Sequence, residues 1–418
     1  MAQTAPHHLL RVITLSLLSA LVAAAPAQTL ARPGWSGSGM SAAPWWKHPL
    51  IYQADPRGFG GLHSLAEHLD YIHSLGIDAI LLTSLGGNDA KQPIDPALGS
   101  MDDLDEIVRR ASEFNIRVLV DLDTHSADLA STTRLWLAHG IAGFHAPGAS
   151  SAQLGDIRRS LGSFAGQRIV IGDLANREAQ PARSADNPQL LTDGRAGTQD
   201  KFAAASLRPA LEAAQQIADQ GHSTPLLFSD GPTLKRSISR YGDGAHDAEI
   251  ARELATMLLT TRAGAMLYYG QELGLTDGSK DISFDQPKKG EQPAAMSVAA
   301  GDASATSLLS WYRQLSALTH SSRTMSAGAM ITLNHDDQDV LAWVRKPQAV
   351  SPSTPAIVVI ENLSGQPVTV SLKADLQRLH LKGSFLRTVM RSDNAMGGMH
   401  LDGMTLPPFG VFIGELRY

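Results

Sequence analysis

The chain has 418 residues, 43% of them hydrophobic, with a formal net charge of -6 and no cysteine. That length and apolar content suffice for a domain-sized core, which excludes a disordered chain, and the mild acidic balance supplies no positive field for nucleic acid or an anionic membrane. Thiol catalysis, disulfides and cysteine metal sites are excluded as well, no metal or organic cofactor is expected, and the expected partner is neutral.

Residues 1–27 read as a signal peptide: Arg11 precedes the apolar run Val12 to Ala25, and Ala25-Pro26-Ala27 gives the small-residue pattern of a cleavage site. The run is short for a bilayer span. Export to the periplasm or the exterior is therefore expected, with no membrane attachment after cleavage. A Gly/Ser/Pro-rich linker occupies 28–44.

From Trp45 onward, short apolar runs alternate with amphipathic stretches, the pattern of parallel strands joined by crossover helices. "LIYQA" from Leu50 is the first predicted strand, and "SLAEHLDYIHSLGI" follows as a helix, with Leu65, Leu69, Ile72 and Leu75 at helical spacing and Gly76 as its stop. "DAILLTSL" is the next strand, Ser100 caps a helix with an acidic first turn, and "RVLVDLD" closes the second unit. Further strands fall at "GIAGFHA", "RIVIGDL", weakly at Gln189–Thr192, at "TPLLFSD" and at "GAMLYYG", with helices at Ser151–Ser163, Lys201–Asp219 and Ala248–Thr261. Eight such units predict an α/β chain folded as a (β/α)8 TIM barrel over 45–322, ending with a helix at Ser304–His320. The runs "DVLAWVRK", "AIVVIENL", "PVTVSLK" and "LPPFGVFIGEL" then predict a small C-terminal antiparallel, β-sandwich-like domain over 323–418.

The alternation alone leaves the chemistry open. "WWKHPLIYQADPRGF", however, resembles the first strand of the α-amylase family of glycoside hydrolases, particularly its α-glucosidase-like members. "LAEHLDYIHSLGIDAILLTSL", "SMDDLDEIVRRASEFNIRVLVDL", "ARELATMLLTTRAGAMLYYGQELGLTD" and "SLLSWYRQLSALTH" resemble later segments of that family in the same order. The resemblance implies retaining cleavage of α-glycosidic bonds by a carboxylate nucleophile, a carboxyl acid/base and a third, stabilising carboxylate at the C-terminal ends of barrel strands.

Several of those positions are altered. Where the family reads G-F-R-L-D at its fourth strand, this chain has Gly143-Phe144-His145-Ala146-Pro147, so Pro147 occupies the nucleophile position and His145 the place of the orienting arginine. The fifth strand ends in Gly172-Asp173 where the family has G-E, leaving a shorter carboxyl at the acid/base position. After the seventh strand, Asp230 matches the stabilising carboxylate in one alignment, and Thr233 takes that place in the other. "DLDTHSAD" resembles the family's third-strand motif with one residue lost; it retains Asp121, His125 and Asp128, and His125 stands where the family's sugar-contacting histidine does. His145, His125 and Asp121 are thus the candidate sugar contacts, each with an alternative, purely structural role.

The resemblance also implies a small domain inserted after the third strand, often holding calcium, but here the chain runs from Asp128 directly into "LASTTRLWLAHGIAGF". The loop after the second strand lacks the family's stacking tyrosine, so a shallow, wet cleft and no calcium dependence are expected. The leading expectation is a non-hydrolytic pseudoenzyme that binds α-linked oligosaccharide or another partner. A weak or altered glycosidase using Asp173, Asp230 and Asp121 or Asp123 is one alternative, and an assembly subunit with a protein partner is another.

Overall fold

The computed structural model describes residues 44–417 except 90–91, 127, 177–186, 280, 285–296, 304–305 and 394. The expected signal peptide over 1–27 and all of the expected linker but Pro44 lie outside the described residues. Eight parallel strands close into a barrel. In chain order they are β1 (Leu50–Ala54), β2 (Ala79–Leu82), β3 (Arg117–Asp121), β4 (Gly143–His145), β5 (Ile169–Asp173), β6 (Leu190–Asp193), β7 (Thr224–Leu227) and β8 (Gly264–Tyr268). Each pairs with its sequence neighbours, and β8 returns to β1 in the register Gln53 opposite Tyr268.

Successive side chains of a strand point to opposite faces. Ile51, Leu81, Leu119, Ile171, Leu190, Leu226 and Met266 accordingly meet in a cluster inside the barrel, whereas Tyr52, Leu82, Val120, Val170 and Leu267 join the larger core shared with the surrounding helices. Trp45 and Trp46 pack against the inner cluster, and the Arg117 guanidinium lies 4.6 Å from the Trp45 ring centroid.

The helix expected after β1 is two short helices, Leu62–Glu67 and Leu69–Ser74, separated at His68. There the imidazole Nδ1 bonds the Ser64 carbonyl at 2.8 Å and the ring stacks on Phe284, so the side chain competes with regular helix at that turn. Ser100 does cap the next helix, in a capping box with Asp103. Glu272, after β8, accepts hydrogen bonds from Tyr52 on β1 at 2.7 Å and from Tyr71 at 2.5 Å, which ties the barrel closed across its seam.

After the helix Leu308–Ser321, a six-stranded antiparallel sheet and a separate two-stranded one form the C-terminal β-structure. Its strand Val340–Lys346 carries Arg345, which is fully buried and donates to the carbonyls of Thr260 and Thr261 at 2.8 and 2.6 Å. These carbonyls end the barrel helix Asp247–Thr260, where a cation complements the helix dipole.

Candidate functional site at the barrel mouth

The alternation that turns Leu119, Ile171 and Leu190 inward turns Asp121, Asp173 and Thr192 inward two residues later, at the C-terminal strand ends. Gly143 leaves room on β4, since a Cβ there would fall 2.3 Å from the Ile169 carbonyl oxygen, and His145 follows it on the same face. Four neighbouring strands therefore present one polar row. His145 Nδ1 lies 2.7 Å from Asp121 Oδ1, and its Nε2 lies 3.1 Å from Asp173 Oδ1. Asp173 also accepts from Thr192 Oγ1 at 2.7 Å and from the Gly148 amide at 2.8 Å.

Both imidazole nitrogens face carboxylate oxygens, so both must carry protons. Burial of His145 opposes that charge, but the hydrogen bonds and fields of Asp121 and Asp173 prevail and raise its pKa to about 9. For Asp173, burial favours the neutral acid; the donors from His145, Gly148 and Thr192 prevail, and its pKa falls to about 2. At neutral pH His145 is an imidazolium between two aspartates, and Asp173, at the position the resemblance gives to the acid/base, is ionised. Both ring nitrogens are engaged, so His145 has no lone pair for a metal ion.

Pro147 sits beyond β4 in an exposed turn over Ala146–Ala149, closed by the Ala149 amide donating to the Ala146 carbonyl at 3.3 Å. Gly148 has φ 68°, so proline followed by a left-handed glycine matches a type II turn. This turn also aims the Gly148 amide at Asp173. Asp230 is 1% exposed; its Oδ1 accepts from the Ser237 amide at 2.9 Å, and the Arg236 guanidinium lies 3.9 Å from Oδ2. Burial raises its pKa against those partners. His125, by contrast, has a side chain 92% exposed, on a turn held by Asp123 Oδ1 accepting the His125 amide at 2.9 Å. The mouth thus joins Asp121, His145 and Asp173, while Asp230 lies inside packing and His125 faces solvent.

Asp128 is the N-cap of the helix Leu129–Ala138, so seven residues separate β3 from that helix and no inserted domain stands there. In its place a cavity of about 310 Å³ opens beside the polar row, between the loop after β2 and the segment after β3, with Asp121 on its wall. Thr192, Gly148 and this cavity were not singled out in the sequence. The inward parity of β6 carried the signal for Thr192, but the other two depend on how loops fold back.

A closed (β/α)8 barrel followed by an antiparallel sheet, with a polar row at the C-terminal strand ends, is the architecture in which barrel proteins carry their sites. The family model described as "Alpha amylase, catalytic domain" matches residues 51–144 of this chain. Trehalose-6-phosphate hydrolase of Escherichia coli (strain K12) is 38% identical over 95 residues, 19% of this chain and 17% of that enzyme. The matched stretch is thus under a fifth of the relative's length. The amino acid transporter heavy chain SLC3A2 of Oryctolagus cuniculus is 23% identical over 347 residues, 72% of this chain and 64% of that protein. Among solved structures, isomaltulose synthase (PalI) from Klebsiella sp. LX3 superimposes with a TM-score of 0.74 at 16% identity, covering 89% of this chain and 99% of that one, a likeness of fold alone.

Proposed function

We propose that this protein is a non-hydrolytic member of the α-amylase family that acts by binding, with a neutral α-linked oligosaccharide as its ligand, and that it is exported. The observation that carries the reading is the state of Asp173. A general acid must deliver a proton to the leaving oxygen, and this carboxyl is held ionised by an imidazolium, a hydroxyl and an amide. Pro147 at the nucleophile position supports the same reading, because a retaining mechanism needs a carboxylate there. A relative named as an alpha-glucosidase, 32% identical over 102 residues, supports the ligand class.

The test is an assay of the purified protein against maltose, isomaltose and an aryl α-glucoside. Turnover is expected to stay at background in the natural protein and in Asp173→Asn alike. Turnover that Asp173→Asn abolishes would instead make the protein an altered glycosidase working through Asp173.

A second reading, an assembly subunit with a protein partner, draws support from the extent of the transporter heavy-chain alignment: 72% of this chain, against 19% for the E. coli hydrolase. It keeps the loss of chemistry and replaces the sugar with a protein surface. Direct titration with oligosaccharide separates the two.

A further inference from the structure

We propose that the interface between the barrel helix Asp247–Thr260 and the C-terminal sheet is a proton-held latch: protons on Glu253 and Glu361 keep it shut, and their loss opens it locally while the barrel stays folded. The register of the sheet places the groups. Glu361 stands opposite Leu341 on one side and Val411 on the other, and Trp343 stands opposite Val359. Leu341, Trp343, Val359 and Val411 belong to the core shared with the barrel helices, whereas Val340, Val358 and Phe412 belong to the sheet's own core. Alternation therefore turns Glu361 and Trp343 toward the barrel. Leu254 and Leu258 of the helix join that shared core, and the charge of Glu361 acts on Glu253 beside them.

Both carboxyl oxygens of Glu253, both of Glu361 and the indole nitrogen of Trp343 are buried without a hydrogen-bond partner among the described residues. Buried polar groups are ordinarily paired, so five unpaired atoms make this the weakly fastened part of the core. The surrounding charges are engaged elsewhere. On the sheet side, Arg345 donates to the carbonyls of Met325, Gly328, Thr260 and Thr261, Glu415 is held by Arg387 and Arg417, and Arg391 pairs with Asp393. On the helix itself Arg252 pairs with Glu249, and at its start His246 pairs with Asp243 while Asp247 accepts from the Gly244 amide. From the neighbouring helices, Arg208 donates to the Asp337 and Val340 carbonyls, Glu212 accepts from Thr332, Arg240 donates to the Gly197 and Ser229 carbonyls, Arg313 pairs with Asp302 and His320 with Asp78.

A carboxylate in this layer would be a buried charge without a counterion, and opening the interface lets water solvate it. Burial raises both pKa values, so the closed state holds protons that the open state gives up. Opening thus becomes easier as pH rises from the ordinary glutamate range toward the closed-state value, and levels off above it. Arg345, lowered only to about 9, keeps its charge at neutral pH and holds the Thr260–Thr261 end fastened as the hinge.

Amide hydrogen exchange of the purified full chain, between about pH 5 and 8, tests the latch by reading local opening directly. Amides of 250–258 and 357–361 are expected to open at least about tenfold more often than those of β3 at neutral pH. With the intrinsic pH dependence of exchange divided out, their opening should rise with pH by up to about tenfold per unit for each carboxyl. The double change Glu253→Gln, Glu361→Gln should abolish that rise; if it does not fold, Glu361→Gln alone, expected to remove one carboxyl's share, carries the test. Opening constants equal to those of β3 at every pH would mean that the interface opens only by global unfolding, which overturns the latch. A flat pH dependence in the natural protein, or a rise that survives the glutamine changes, overturns it as well.

Discussion

Pro147→Asp is expected to leave α-glucoside hydrolysis at the uncatalysed background, although it restores a carboxylate to the nucleophile position. Covalent catalysis needs that nucleophile oriented and its leaving group protonated. The residue in the orienting place, His145, already spends both ring nitrogens on Asp121 and Asp173. The carboxyl that would protonate the leaving group is held down at about 2. Absence of a general acid alone typically costs about 10²- to 10⁴-fold in rate, and residues that act as a unit are not recovered one at a time. A further anion would also stand one residue from Gly148, whose amide is bonded to the carboxylate of Asp173. The check is a long-incubation assay with an aryl α-glucoside; turnover in the variant well above the natural protein's would show that the lost nucleophile was the sole defect.

Stability should fall as pH rises from acid toward neutral and alkaline values, and the double change Glu253→Gln, Glu361→Gln should flatten that slope. Glu253 lies on the helix Asp247–Thr260 and Glu361 on the sheet strand Ile357–Asn362. Both are 0% exposed, and none of their four carboxyl oxygens has a protein hydrogen-bond partner. Burial raises both pKa values well above 4.5, and Glu253 is raised further by Glu361 and Glu249.

A folded-state pKa above the unfolded one means that the native state holds more protons. The associated stability is complete below the ordinary glutamate value and is lost as pH climbs toward the folded value. Within that window each carboxyl contributes a slope approaching about 1.4 kcal/mol per pH unit. The amides cannot ionise, so the variant's denaturant midpoint should vary less with pH. An unchanged slope would mean that the pair does not titrate on unfolding.

The barrel was legible because its strands are apolar runs whose inward and outward faces follow from alternation. Even the weak strand at Gln189–Thr192 is present, as Leu190–Asp193. The C-terminal strands Ala329–Leu333 and Phe385–Arg391 were not anticipated: the first is a run of only five residues, polar residues interrupt the second, and pairing with neighbours completes both. At the mouth, residue types were readable and partnerships were not. Asp121, His145 and Asp173 stood out singly, but their contact depends on the relative heights of three strands, which no local pattern encodes. His125 occupies a sugar-contact position in the motif, yet the residue lost from that motif accompanies a turn that leaves the ring in solvent. Glu361 was legible in principle, because alternation from Ile357 through Val359 puts it on the barrel-facing side of the sheet.

In the proposed binding protein, Asp173 is locked as a carboxylate by a charged His145. The most direct measurement is a nitrogen-15 NMR titration of the His145 imidazole in the natural protein. Both ring nitrogens are expected to stay protonated through neutral pH, with titration at about 9. A neutral His145 ring at pH 7, titrating near its ordinary value of 6.5, would contradict it, because Asp173 would then have lost the charge that holds its proton off.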